Sequence, residues 1–500
     1  MTPTAATRQA FVYLDKAAAA RQPTHVFYVL RAGFHETLGD AAASEADRQR
    51  AAQTPPTIAM DHVLQGNMAQ RAGQLAEAIR SYEAAQRLEP THYWSLMLLG
   101  TCLCDLGQGK DLDEAAHIFT GCILNRPQHA HAYRCRGVAY ARLRRYADAL
   151  ADCSRAIELE PTFAKSWYNR GLAYDELGQP EKALADYSKA IELQPREERV
   201  WNNRGATYRK VGRLEEAVAD FSQAVALAPD YALAWTNRGV AYAQMGRRAQ
   251  ADSDFAKAIE LNPQLARAWY GRGFANLKLG EPAKALPDLS KAIELDPKFA
   301  AAWDNRGVAY AKLAQPGKAI ADFRTVTELE PKNAQAWYSL GNAYVPVRQY
   351  ERAVAEYSKA IELDAKHVSA LNNRGAAYLK VGQPDKAVAD CKRAVELLPQ
   401  HRGHWQTLGT AHYRAGDWRA AVTALTRSVE LGQGGNSLDW HFLAMAHHQL
   451  GNADEARRAF ERAEQWLANN ENTLKKDVFL AEELQRIRAE AEQVLERKEN

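Results

Sequence analysis

The sequence predicts an all-α solenoid of stacked antiparallel helix pairs, on three observations. Aromatic side chains recur every 34 residues at Tyr133, Trp167, Trp201, Trp235, Trp269, Trp303 and Trp337, and Leu371 and Trp405 keep the register. A glycine stands four residues after each, from Gly137, Gly171, Gly205 and Gly239 through Gly273, Gly307, Gly341 and Gly375 to Gly409. An alanine follows twelve residues beyond each glycine, from Ala149 and Ala183 to Ala387 and Ala421, and a proline closes the unit at Pro161, Pro195, Pro229, Pro263, Pro297, Pro331 and Pro399, with Ala365 the departure. A period of about 20–50 residues means that one supersecondary unit is copied, and that each copy buries its apolar face only against its neighbours.

Each element of the unit has a physical reason. Small Gly and Ala positions let two helices approach closely, and Trp, Tyr and Phe fill the space between neighbouring pairs. Pro180, Pro282, Pro316 and Pro384 fall just inside the expected second helix, where a missing N–H leaves no bond unmade. Aligned by glycine, the array extends outward to Gly66 and Gly100 before it and to Ala444 after it, giving about twelve units over residues 59–470. Three extra residues near Gly107–Asp111 and one near Gly434–Asn436 are expected in turns. Residues 1–58 form a degenerate N-terminal helical segment, broken at Thr54-Pro55-Pro56. Residues 471–500 read as a C-terminal capping helix, with Leu474, Val478, Leu484, Ile487, Val494 and Leu495 on an apolar stripe that would cover the last repeat.

Composition excludes several classes. Lys plus Arg is 64 against 61 Asp plus Glu, a net charge of +3, which is not the footprint of a nucleic-acid binder. Hydrophobic residues make up 46% of the chain and mean hydropathy is −0.48, so it can bury a core. Six cysteines in 500 residues are no disulfide scaffold. No signal-peptide pattern opens the chain, and runs such as Val26–Leu30 are far short of the roughly 20 residues that span a bilayer. A cytoplasmic protein without membrane contact is expected.

These columns resemble the tetratricopeptide repeat, whose pattern of Trp, Gly, Tyr, Ala, aromatic, Ala and Pro is matched at nearly every position by WYNRGLAYDELGQPEKALADYSKAIELQP, residues 167–195. The resemblance implies a right-handed superhelix whose concave side is lined by the first helix of each repeat, and a binding rather than catalytic role. The sixth repeat position reads Asn169, Asn203, Asn237, Gly271, Asn305, Ser339 and Asn373. In the family this position faces the groove, and an asparagine ladder there resembles the superhelix of O-linked N-acetylglucosamine transferase, where such residues grip an extended peptide backbone. A side-chain amide can donate to a carbonyl and accept from an N–H. Asn169, Asn203, Asn237, Asn305 and Asn373 are therefore the candidate partner-binding residues, and a consensus role with no ligand is the competing reading.

The seventh position carries Arg136, Arg170, Arg204, Arg238, Arg272, Arg306 and Arg374, and sixteen residues later stand Asp152, Asp186, Asp220, Asp254, Asp288, Asp322 and Asp390. Units without the arginine mostly lack the acid: Leu99 goes with Ile118, Leu408 with Ala424 and Leu443 with Ala459, while Leu340 with Glu356 keeps an acid alone. Joint presence points to an ion pair bridging the two helices, rather than to a ladder for an anionic ligand.

The carboxylate clamp of chaperone-adaptor repeats is missing, since its asparagine position is mostly apolar here (Val138, Leu172, Val240, Phe274). Cys102, Cys104, Cys122, Cys135 and Cys153 cluster in sequence without zinc spacing, and His131 with Cys135 is an incomplete ligand pair. No phosphate-binding loop, nucleophile elbow, zinc-protease or kinase motif occurs. No catalytic residue, metal or cofactor is assigned; the partner is a protein or peptide, and the oligomeric state is open. Residues 442–467 (FLAMAHHQLGNADEARRAFERAEQWL) and 92–107 also resemble repeat regions attached to planctomycete-type bacterial serine/threonine kinases. That similarity implies a kinase-associated sensor or docking part in a bacterial protein.

Overall fold

The computed structural model describes residues 23–474 and 478–496; what is expected of residues 1–22, 475–477 and 497–500 lies outside the described residues. Every regular element among the described residues is a helix. The chain divides into two compact units, Met1–Arg247 and Arg248–Asn500, and each is built from the same helix pair.

Residues 164–197 show the pair. A first helix, Ala164–Glu176, passes through a three-residue turn into a second, Pro180–Leu193, whose leading proline is the residue anticipated. Pro282, Pro316 and Pro384 open their helices in the second unit in the same way. The turn requires one left-handed residue. Gly178 supplies it at φ 68°, and Gly212, Gly280 and Gly382 repeat it at 80°, 77° and 73°. Three repeats instead force Arg144, Ala314 and Arg348 to 59°, 54° and 57°, where a Cβ crowds the following carbonyl.

The glycine column has a separate cause. A Cβ on Gly171 would lie 2.7 Å from the Tyr187 ring, and one on Gly341 2.6 Å from Tyr357. The buried ring of the second helix therefore rests directly on the backbone of the first. The Trp and Pro columns are two halves of one bond. Trp167 Nε1 donates to the Pro161 carbonyl at 2.8 Å, and Trp201, Trp269, Trp303 and Trp405 do the same to Pro195, Pro263, Pro297 and Pro399 at 2.8–3.0 Å. Each bond ties the first helix of one repeat to the end of the repeat before it.

The anticipated ion pairs are present and bidentate. Arg204 Nε and Nη2 donate to the two carboxylate oxygens of Asp220 at 2.7 and 2.8 Å. Arg136–Asp152, Arg170–Asp186, Arg272–Asp288, Arg306–Asp322 and Arg374–Asp390 share this geometry. The remaining nitrogen reaches further. Arg204 Nη1 donates to Ser188 Oγ at 3.0 Å, on the second helix of the preceding repeat, and Arg136, Arg238, Arg306 and Arg374 make the same reach to Thr120, Ser222, Ser290 and Ser358. The guanidinium also lies over the tryptophan three residues earlier, 5.0 Å from the ring centre for Arg204 over Trp201. One side chain thus joins three helices.

The same clasp appears upstream of the recognised repeats. Helices His25–Thr37 and Ala41–Gln53 pair through Arg31 Nε and Nη2, both 2.6 Å from Asp47. Gly39 holds the left-handed turn at φ 83°. One expectation is corrected. The three extra residues near Gly107–Asp111 do not lengthen a turn: Gly109–Asn125 is a 17-residue second helix where 14 is the rule, so they add about one helical turn at its start. The chain gains backbone hydrogen bonds this way, and the buried face beyond Leu112 keeps nearly the same orientation. The single extra residue near Gly434–Asn436 does fall in a turn, ahead of Ser437–Gln449.

Reversing Arg204 to Glu leaves two carboxylates facing each other with Asp220 almost fully buried. It should cost roughly 3 kcal/mol, and Asp220→Arg in the same chain should restore part of that in denaturant melts; a strictly additive double variant contradicts the clasp. Ala314→Gly should stabilise by up to about 1 kcal/mol in the same assay, while Gly178→Ala moves the midpoint the other way.

Candidate partner-binding face

The asparagines of the sixth repeat position sit on the first helices, all half-buried. The structure does not gather them into one pocket, because Asn169, Asn203 and Asn237 belong to the first unit and Asn305 and Asn373 to the second. It does connect several of them laterally. Asn203 Nδ2 donates to the Tyr168 hydroxyl at 2.8 Å, and Asn202 Nδ2 donates to Asn203 Oδ1 at 3.2 Å. Asn237 Nδ2 then donates to Asn202 Oδ1 at 2.9 Å. This run of amides crosses three consecutive repeats of the first unit. In the second unit Asn305 Nδ2 donates to Tyr270 Oη at 3.2 Å and to the Ala301 carbonyl at 2.8 Å. Asn373 Nδ2 donates to Asn342 Oδ1 at 2.9 Å, and Asn342 Oδ1 also accepts from the buried Tyr357 hydroxyl at 2.8 Å. The ladder is thus partly spent on neighbouring repeats, and its amides are held in fixed orientations.

Two further features of this face were not anticipated. Basic side chains recur at the last turn of the first helix, at Arg142, Lys210, Lys278, Lys312, Lys380 and Arg414. That is seven residues, about two helical turns, beyond the asparagine position, so both lie on one helix face. Lys210 Nζ pairs with Asp175 on the first helix of the preceding repeat at 2.7 Å, whereas Lys380 and Arg414 take their acids from the end of the chain. Lys380 Nζ lies 2.5 Å from Glu483, and Arg414 Nη2 lies 2.6 Å from Glu490, both acids on the helix Val478–Glu496. A cleft of about 380 Å³ beside them is lined by Asn342, Asn373, Ala376, Lys380 and Glu483, so one expected site residue, Asn373, faces the seated helix. The sequence signal was available in the basic column and in the Glu483–Glu490 spacing, but neither half points to the other without the fold.

Among the described residues no group of three or more His, Cys, Asp or Glu side chains could hold a metal ion. Cys135 Sγ and His131 Nε2 are 3.9 Å apart, and burial pushes His131 below the ordinary imidazole range. Burial likewise raises the thiols of Cys122, Cys153 and Cys391 to about 12, and those of Cys102, Cys104 and Cys135 to about 11. No helix among the described residues is long and apolar enough to cross a membrane.

Tetratricopeptide repeat models match residues 130–163, 164–197, 232–265, 266–299 and 368–401, and further models of the same repeat match 187–219, 207–246, 289–321, 323–355, 349–382 and 407–469. The chain belongs to the tetratricopeptide repeat family. None of the curated proteins compared matches it. Among solved structures, the anaphase-promoting-complex hetero-tetramer Cut9–Hcn1 is 15% identical over 87% of this chain and 96% of its own, with a TM-score of 0.41. A tetratricopeptide repeat protein of Parabacteroides merdae is 20% identical over 50% of this chain and 98% of its own, also at 0.41. YrrB, described as a repeat protein with an unusual peptide-binding site, is 29% identical over 37% of this chain and 95% of its own, at 0.30.

Thiolate is the reacting form of cysteine, and stability does not enter, so the sign is direct: raised thiol pKa values mean slow modification at neutral pH. In the native chain at pH 7.5, an aromatic disulfide reagent should label none of the six thiols within minutes and all six after denaturation. Rapid labelling of Cys135, the one half-exposed thiol, would contradict its burial-raised value.

Proposed function

We propose that this protein is a non-enzymatic interaction scaffold that binds an extended peptide or helix of a protein partner across the first helices of its repeats. The observation that carries the reading is the amide run Tyr168–Asn203–Asn202–Asn237. It keeps polar donors and acceptors oriented on rigid helices, on a half-exposed face. A surface whose hydrogen-bonding groups are already ordered loses less entropy on binding, which favours a peptide partner over none. The near-neutral charge and the repeat family favour a protein partner over nucleic acid, and we place the chain in the cytoplasm on the same grounds as its lack of a bilayer-spanning run.

A second reading, a docking or sensor region working with a bacterial serine/threonine kinase, draws support from residues 442–467 and 92–107 and their similarity to such regions. It predicts a kinase among the partners, and makes the same face the docking surface. A substrate-presenting role for a glycosyltransferase shares the asparagine ladder and predicts a transferase instead.

Affinity capture with the wild-type chain against Asn203→Ala/Asn237→Ala/Asn305→Ala separates these. Each lost amide contact is worth about 1 kcal/mol, so the partner's recovery should fall at least about tenfold while the helical signal at the assay temperature stays near wild type and the melting midpoint falls only by what the lost inter-repeat bonds of Asn203, Asn237 and Asn305 contribute. An unchanged captured set, with the fold intact, refutes ligand contact by the ladder.

A further inference from the structure

The helix Val478–Glu496 does more than a cap requires. A cap needs only to cover the final repeat, and this helix does so: Ile487 and Ala491 are buried in one cluster with Phe442, Leu443 and Met445 of the last first-helix, Ser437–Gln449. Arg488 adds an ion pair to Glu464 on the last second-helix at 2.8 Å. Yet the same helix runs back over two earlier repeats. It pairs Glu490 with Arg414 on Arg402–Arg414 and Glu483 with Lys380 on Val368–Lys380. A second cleft of about 330 Å³ lies along this contact, between Thr407, Thr410, Arg414 and Phe442 on one side and Glu483, Arg486 and Ile487 on the other.

The match is one of spacing as well as charge. Glu483 and Glu490 are seven residues apart, about two turns or 10.5 Å along a helix. Lys380 and Arg414 hold equivalent places in adjacent repeats, whose packed first helices are separated by a comparable 8–10 Å or so. Ile487 lies between the two acids on the same face, completing an i, i+4, i+7 set of anchors of the kind by which amphipathic helices dock in grooves. Both ion pairs are exposed, with Glu483 and Glu490 about a third open, so each holds the helix only weakly.

We infer that Val478–Glu496 is an internal ligand occupying the partner-binding face of the last three repeats. The partner that displaces it is a helix with two carboxylates seven residues apart and a branched apolar side chain between them. This rests on the reading of that face as a binding face and specifies both its ligand chemistry and its control. The chain's own helix sets the threshold, since a partner must outcompete a tethered copy of the motif that is present at high effective concentration.

The test uses the full chain and a labelled peptide of residues 478–496 with the wild-type sequence, followed by fluorescence anisotropy. Wild type should bind the peptide weakly, because its own helix fills the seat. Glu483→Lys/Glu490→Lys should free the seat and bind the peptide at least about tenfold more tightly, with faster amide exchange over residues 480–496. Adding Lys380→Glu/Arg414→Glu should abolish that gain and slow amide exchange over residues 480–496 again, because the lysines of the chain's own helix then match the reversed seat and refill it. The proposal is overturned if exchange over the helix is unchanged in the freed chain, since the two acids then do not hold it. It is also overturned if exchange rises without peptide binding, if binding ignores Lys380 and Arg414, or if the freed chain merely dimerises through exchanged helices in size-exclusion runs. Residues 203 and 237 lie in the other unit, so failure here with a surviving effect of their alanine variants leaves the scaffold reading standing.

Discussion

A guanidinium on the first helix of a repeat, locked to an aspartate on the second and to a hydroxyl on the second helix before it, is the constraint on which both units depend. Arg204 shows all of it: two bonds to Asp220, one to Ser188, and a tryptophan ring beneath. The charge is half-buried and its carboxylate nearly fully so, a placement that water would oppose unless nearly every donor found an acceptor. Because the three partners come from three helices, the clasp sets the distance and rotation of the pair and of its neighbour together. The glycine column under Tyr187 and Tyr357, and the Trp–Pro bonds, act at the same joint.

The exception at Leu340 explains itself once that geometry is known. In the repeat before it the usual serine is replaced by Arg324, which donates to the Tyr344 hydroxyl at 2.9 Å. Burial raises the carboxyl of Glu356, and the Arg324 charge opposes that rise. A guanidinium has been moved from one helix to its neighbour across the repeat boundary, rather than simply lost. Serine, arginine and aspartate at successive intervals of sixteen residues, as in Ser154, Arg170 and Asp186, are thus one device written across two repeats.

The asparagine-bearing face has a different logic. Its asparagines are tied sideways rather than downward, and its basic column is exposed. In the second unit, part of that surface is filled by the chain's own C-terminal helix. Where this face binds segments of other chains, as we propose, the seated segment of its own sets the cost of displacement that a partner must meet.

The all-α class, the helix pair, its turn and the Arg–Asp bridge were legible in the residues alone, because each depends on contacts inside a unit that the chain writes many times over. Repetition averages away local accident, so that joint presence of Arg204 with Asp220 and of Arg306 with Asp322 carries the meaning an alignment would. What the tertiary structure alone decided are the contacts made once or between unlike elements. They include the helical turn added at Gly109. They include the docking of Glu483 and Glu490 on Lys380 and Arg414, 103 and 76 residues away in sequence. No period links such partners, and only the path of the folded backbone brings them within reach.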